Sequence, residues 1–383
     1  MDADYIISMR RYFHKNPELS FHEYKTADRI EEELKGMGLK PERITETGII
    51  CDINGSSKGN TVALRADIDA LPVNENSGDE FASKNNGVMH ACGHDAHTAM
   101  LLGIAKYLSG HKSFKGKIRL IFQPAEETPP GGAIEMIENG ALDDVDYIIG
   151  QHLLSTLKAG TVGINYEYGA AMADQFSIKI SGPGGHASRP DESSDTIYVA
   201  SLFIVSAQSI ISRMVDQTKP SVLTFGTLNG GDRFNIIAST VEITGTVRAY
   251  NRELREKIRD SLKGMLSHIC SIYGSEYEFE YVEGYPALLN DRNVAKVINK
   301  IAIDVAGSEN VVYPDPSMGG EDFSRYLEKV PGAFYRLGVG NKEKGIDAPP
   351  HSSKYRIDES ALTTGASVML LSAMYLLEHG TKI

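Results

Sequence analysis

The sequence predicts an α/β protein in two parts: a mixed-sheet domain interrupted by an inserted βαββαβ, ferredoxin-like unit. Three observations carry this expectation. Short apolar strands alternate with helical stretches through the first 150 residues, as in open α/β sheets. Polar residues of ligand type recur where those strands end, at Asp67 and Asp69, at residues 123–127 and at Gln151-His152, which is the sheet edge that binds ligands in such folds. From residue 175 to 282 the pattern becomes strand, helix, two strands, helix, strand. A chain of 383 residues also exceeds one typical core, so two domains are expected.

Residues 4–37 read as a helix pair, interrupted at Pro17 and ended by Gly36 and Gly38. Residues 49–54 and 61–65 are β-rich runs, and the Gly-Ser-Ser-Lys-Gly between them predicts a hairpin-like connection. Asp67 and Asp69 follow, one pleat apart on one face. Residues 117–122 form a strand ending in Gln-Pro-Ala-Glu-Glu, Gly131 and Gly132 open a helix, and residues 147–150 form a third strand ending at Gln151-His152. In the insert, strands 175–180, 221–227, 240–248 and 276–282 alternate with helices 195–214 and 252–273. Beyond it, 291–306, 323–328 and 360–378 are helical and 333–339 is a short strand.

Composition narrows the function. The net charge of -12 argues against nucleic acid or an anionic membrane as the main partner. The first residues carry no apolar signal-peptide core, and no stretch approaches the length of a membrane span, so a cytoplasmic protein is expected. Three scattered cysteines, Cys51, Cys92 and Cys270, do not make a disulfide framework.

The densest chemistry lies in residues 90–97, His-Ala-Cys-Gly-His-Asp-Ala-His, which feed an apolar helical run ending near Ser109. Cys92 and His94 are two apart, a spacing that suits a loop bent by Gly93 and a metal held in it. A capped helix start with Cys92 as a buried hydrophobe is the plainer alternative. Candidate ligands for a centre of two metals are Asp67, Asp69, Cys92, His94, Glu126, Glu127, His152 and the distant His351. Neighbouring carboxylates in a strand-end turn point apart, so one of Glu126 and Glu127 can bind metal while the other serves as a general base.

Six stretches, 65–72, 89–98, 122–127, 150–152, 184–188 and 319–323, resemble the signatures of the aminoacylase/carboxypeptidase metallohydrolases. The likeness is strongest to the amidohydrolase branch, with its hippurate hydrolases, auxin-conjugate hydrolases, N-acetyldiaminopimelate deacetylases and thermostable carboxypeptidases. It begins at Arg11-Tyr12-Phe13-His14 and runs to the final helix. The resemblance implies Cys92, His94, Glu127, His152 and His351 as ligands of two divalent ions, with Cys92 bridging and Glu126 as catalytic base. A thiolate bridge favours Zn, Mn, Co or Ni over Mg or Ca. Asp69, and Asp67 behind it, would support the metal-binding imidazoles from outside the centre. His186, on the Gly-rich loop 182–185, would stabilise the oxyanion. Asn235 and Glu321 would bind substrate, although a Gly-Gly turn capping a helix explains Glu321 as well. Two departures from the family pattern are Ala238, where relatives have Pro, and Thr128-Pro129-Pro130 in place of small residues.

Because His351 lies beyond the insert, the metal-binding domain is expected to be discontinuous, 1–172 and 286–383, with 173–285 as a lid and dimerisation domain. The implied activity is hydrolysis of N-acyl-L-amino acids by metal-bound hydroxide, in a homodimer or homotetramer. The rivals are a carboxypeptidase or dipeptidase acting on short peptides and a metal-stabilised binding protein without turnover. A redox role for Cys92 is disfavoured by the lack of a nearby partner cysteine.

Overall fold

The computed structural model of the chain describes residues 1–382. It divides into two compact units, one of Met1–Gly169, Leu288–Pro316 and Asp322 onward, the other of Ala170–Ala287 and Ser317–Glu321. The sequence placed the boundaries at 172/173 and 285/286 and put residues 317–321 in the first domain. They fall in the second unit because Ala171 N–H donates to the carbonyls of Ser317 (2.9 Å) and Gly319 (3.1 Å).

The first unit is organised on an eight-stranded mixed sheet. In spatial order its strands are Pro41–Arg43, Ile49–Asn54, Lys115–Gln123, Ser57–Asp67, Tyr147–Lys158, Gly332–Gly340, Val162–Gly163 and Val311–Val312. The expected hairpin at 49–65 does not form, because Lys115–Gln123 lies between the two strands, antiparallel to the first and parallel to the second. Its start is wrapped by the connection itself: Gly55 N–H donates to Gly116 O and Ser56 N–H to Phe114 O. A Cβ at Gly55 would stand 2.1 Å from Phe114 O, so this crossing requires glycine.

A second correction concerns Tyr147–Lys158, which does not end at Gln151-His152. Its pairing with Ser57–Asp67 stops at Arg65 opposite Gly150, but pairing with Gly332–Gly340 continues to Lys158. His152 is therefore a mid-strand residue. The helix His94–Gly110 is apolar nearly all round and is buried within the core, as that pattern requires. Ala3–Lys15 packs so closely on it that a Cβ at Gly103 would stand 2.5 Å from Ile6.

The second unit is an antiparallel sheet in the order Ser221–Gly230, Thr240–Ala249, Met172–Ser181, Glu276–Tyr285. Helices Thr196–Ser209 and Arg252–Tyr273 bury their apolar stripes against it, through Val199, Phe203, Ile258, Leu262 and Leu266. This is the split βαβ arrangement that the alternation of elements predicted. Asn251 caps the second helix by accepting from Leu254 N–H, and Gly274 ends it at φ 66°.

The sequence expectation that no stretch reaches membrane-spanning length also needs correcting. Thr196–Met214 and Glu359–His379 are long and apolar enough by composition. The second lies in a protein core, with Leu362, Ala366, Met369, Ala373 and Leu376 all buried, and the first buries Val199, Ala200, Phe203 and Ala207.

Candidate metal centre

Two turns and one helix start build the site in the first unit. Gly93, at φ 93°, occupies the left-handed region that lets the chain reverse between Cys92 and His94. Ala125, at φ 54°, makes a second sharp turn after the strand Lys115–Gln123 and presents Glu126 and Glu127. His351, at φ 66°, is fastened to the first turn by its N–H, which donates to Ala91 O at 2.8 Å.

His94 is fully buried and held from one side by Asp69, whose backbone carbonyl and Oδ1 lie 3.0 and 3.1 Å from Nδ1. That contact fixes the Nδ1–H tautomer and leaves Nε2 free. Nε2 has no hydrogen-bond partner, and Asp67 Oδ2 and Glu127 Oε1 both stand 3.8 Å from it. Burial pulls the His94 pKa down, but Asp67, Asp69 and Glu127 raise it to about 10. A carboxylate field that holds an imidazole protonated is a field built for a cation.

The other sequence-predicted ligands converge on the same place. Cys92 Sγ lies 3.3 Å from His152 Nε2, and His152 Nδ1 donates to Leu153 O at 2.7 Å. Glu127 Oε1 lies 3.3 Å from His351 Nε2, while its backbone N–H donates to Asp69 Oδ2 at 3.0 Å. Two donor sets follow, Cys92–His94–His152 and Cys92–Glu127–His351, with the ligand atoms of each set within 4.8 Å of one another. Cys92 is common to both. His94, Glu126 and Glu127 form a third such set.

This donor chemistry fits two divalent ions: thiolate, imidazole and carboxylate, with a buried orphan nitrogen at His94. Burial first, then Glu127 and Glu126, raises the Cys92 pKa well above its usual value. Burial, before any neighbouring charge, holds His152 well below the ordinary imidazole range, so it stays neutral and able to ligate. His351 is raised, chiefly by Glu127.

Several supporting residues were not singled out by the sequence. Arg65, fully buried, donates to Asp67 Oδ2 (2.6 Å), Asp322 Oδ1 (2.8 Å) and Gln123 Oε1 (2.8 Å). His97 Nδ1 meets Asp67 Oδ1 at 2.6 Å. Ser20 donates to Asp69 Oδ2 at 2.7 Å, and Glu23 accepts from Ala125 N–H at 2.8 Å, so the N-terminal loop ties down both carboxylate-bearing turns. A buried arginine two residues before Asp67 was a readable signal; the reach of the loop at 20–23 was not.

In the second unit, Ile236 pairs with His186 in a short antiparallel ladder, and Asn235 O accepts from Ala187 N–H at 3.2 Å. His186 and Asn235 are thus brought side by side and exposed, with Ser188 donating to His186 Nδ1 at 2.8 Å. Glu321 belongs to this unit and is buried.

The profile of the peptidase family M20/M25/M40 matches residues 63–375. The chain is 42% identical over 376 residues to thermostable carboxypeptidase 2 of Saccharolobus solfataricus, covering 97% of this chain and 95% of that one. It is 44% identical over 287 residues to an N-acyl-L-amino acid amidohydrolase of Geobacillus stearothermophilus, covering 74% of this chain and 78% of that one. A dinuclear metal-binding peptidase of the M20 family from Bacillus subtilis superposes with a TM-score of 0.86 at 33% identity, over 98% of each chain. A donor set for two metals, the mixed-sheet fold with its inserted unit and matches along nearly the whole length agree: the chain is a metallohydrolase belonging to peptidase family M20/M25/M40.

Proposed function

We propose that the protein is a metal-dependent amidohydrolase that cleaves the amide bond of N-acyl-L-amino acids. The observation that carries this reading is the Glu126-Glu127 turn. Glu127 is turned to His94 and His351, and proton transfer is assigned to Glu126, buried beside it. Cys92, His94, Glu127, His152 and His351 would hold two ions of Zn, Mn, Co or Ni, with Cys92 shared. When bound, such ions polarise the substrate carbonyl and make water a stronger nucleophile at neutral pH.

The protein's own part is proton handling and orientation. Glu126 takes a proton from the attacking water as the C–O bond forms. It then delivers that proton to the departing nitrogen as the C–N bond breaks, releasing the carboxylic acid and the free amino acid. Asp69 keeps Nε2 of His94 available, and Asp67 stands behind it. By the family resemblance, His186 is assigned to the developing oxyanion and Asn235 and Glu321 to substrate. The discontinuous unit is assigned to catalysis and the inserted one to a lid and dimerisation role, in a cytoplasmic homodimer or homotetramer.

A second reading, cleavage of short or N-blocked peptides, is favoured by the identity to the Saccharolobus carboxypeptidase. A matched panel separates the two: acetyl-, benzoyl- and indoleacetyl-amino acids beside benzyloxycarbonyl dipeptides, after chelation and after adding back each metal. Release from acyl-amino acids supports the amidohydrolase, and turnover of peptides alone supports the second reading. Glu126→Gln should keep both metals and lose hydrolysis by at least about a hundredfold. Retained activity would remove Glu126 from the mechanism.

A further inference from the structure

His97 is one of the three imidazoles in the stretch 90–97, and none of the roles above uses it. It is buried, and both of its ring nitrogens are engaged. Nδ1 lies 2.6 Å from Asp67 Oδ1, and Nε2 accepts from Leu153 N–H at 3.0 Å. An amide N–H can only donate, so Nε2 carries the lone pair and Nδ1 the proton. His97 is therefore a neutral Nδ1–H imidazole with no nitrogen left for a metal, even though Asp67, His94 and His97 lie close enough together to form a donor set by distance alone.

The register of the sheet explains why a side chain reaches that amide. Pairing between Ser57–Asp67 and Tyr147–Lys158 stops at Gly150, and the longer strand continues with one edge vacated. N–H and C=O of one strand residue point to the same edge. At Leu153 that edge is filled by two imidazoles instead of a strand: His97 Nε2 takes the N–H, and His152 Nδ1 gives its proton to the C=O at 2.7 Å. The two rings meet edge to face with centroids 4.9 Å apart. His152 is thereby fixed as the Nδ1–H tautomer with Nε2 directed to Cys92 Sγ, 3.3 Å away.

We propose that His97 is a positioning residue for the metal centre: anchored by Asp67, which is itself anchored by Arg65, it pins the Leu153 backbone that orients His152 toward Cys92. This rests on the reading of His152 as a ligand. It assigns the residues Arg65, Asp67, His97 and Leu153 to one mechanical chain running from the sheet interior to a ligand nitrogen. Groups bonded directly to a ligand typically change metal affinity by ~10–100-fold, and His97 acts on His152 one step further out, through the Leu153 backbone.

The test compares His97→Gln, His97→Ala and His97→Leu by direct metal titration of the stripped protein and by the visible absorption of its Co(II) form. Gln can place its carbonyl oxygen toward Leu153 N–H and its amide N–H toward Asp67, and it should stay within about threefold of wild-type affinity with unchanged Co(II) bands. Ala and Leu remove the acceptor and should weaken binding at one of the two ions by ~10-fold or more. Leu fills the volume if the Ala variant does not fold. Equal loss in Gln and Leu would make His97 a ligand and overturn the proposal, as would wild-type binding in Ala or Leu. His152→Ala is the control on the reading beneath it: if that variant keeps both ions at full affinity, His152 is no ligand, whatever the His97 variants do.

Discussion

Replacing Glu23 by Gln should stabilise the metal-stripped protein at neutral and alkaline pH and much less so in mild acid. Glu23 is wholly buried and accepts from the N–H groups of Phe21 (3.0 Å) and Ala125 (2.8 Å) and from the Thr47 hydroxyl (3.0 Å). Among the described residues no cationic side chain pairs with it. Burial first, then repulsion from Asp69, raises its pKa from 4.5 to about 7. Such a rise makes the ionised form cost about 3 kcal/mol in the fold relative to the unfolded chain. The folded carboxyl binds its proton more tightly than the unfolded one. Its stabilising contribution is therefore complete below about pH 4.5 and lost as pH climbs to about 7. Gln is neutral throughout and escapes that loss. Urea unfolding in chelator, followed by circular dichroism at pH 5, 6.5 and 8, should show a difference between variant and wild type growing from about 1 to about 3 kcal/mol. A pH-independent difference, or one that shrinks with rising pH, would refute the reasoning. Gln keeps an oxygen for Ala125 N–H, so the turn before Glu126 should survive and hydrolysis with it.

Other perturbations give distinct outcomes. Arg65→Leu removes the guanidinium paired with the buried carboxylates of Asp67 and Asp322 and should cost about 3–5 kcal/mol in thermal unfolding; a loss below about 1 kcal/mol would contradict that account. Asp358, where burial is outweighed by Asn341, Lys344 and Ser360, has its pKa lowered from 3.8 to about 2. Asp358→Asn should cost about 2 kcal/mol at pH 7, and the gap to wild type should close as pH falls through about 2. Gly93→Ala puts a Cβ at φ 93° and 2.8 Å from Leu153 Cδ1, so it should displace Cys92 from His94 and weaken metal uptake by about tenfold, read by titration. Restoring metal to the stripped enzyme at about a hundred times its dissociation constant should raise stability by about 2.7 kcal/mol per ion, seen as a higher melting temperature.

The parts of this protein legible in the sequence are those carried by local pattern. The helix over 252–273 was read to the residue because Asn251 and Gly274 punctuate it and its apolar stripe has helical period. The inserted unit followed from alternation alone. The ligand candidates were legible because short-range clusters of Cys, His and Glu are rare, and the structure gathers them in two sets that share Cys92, one with His94 and His152 and one with Glu127 and His351. What failed was non-local. Nothing in residues 49–65 says that Lys115–Gln123 will enter between the two strands, and nothing in residues 147–152 says that a strand arriving 180 residues later will extend the ladder to Lys158. The roles of Ser20 and Glu23 were hidden for the same reason, since their partners, Asp69 and Ala125, are distant in the chain.

The non-local links share a direction that bears on how the centre is made. Asp67, Asp69, Glu126 and Glu127 concentrate negative charge, and the buried Arg65 offsets part of it through Asp67 while also engaging Gln123 and Asp322. Burial lowers the His94 pKa, but Asp67, Asp69 and Glu127 raise it to about 10, so this imidazole too stands in a field that favours positive charge. The backbone cost is met by anchors that do not ligate: Ser20 and Glu23 hold the turns, and Asp69 receives the Glu127 N–H. Anchors of this kind predict that the site is largely formed by folding itself, so that metal binding need not drive the fold as it does in small zinc domains. The large buried core of the first unit makes that order affordable, and it predicts that the stripped protein keeps its secondary structure while losing only the stability that the ions add.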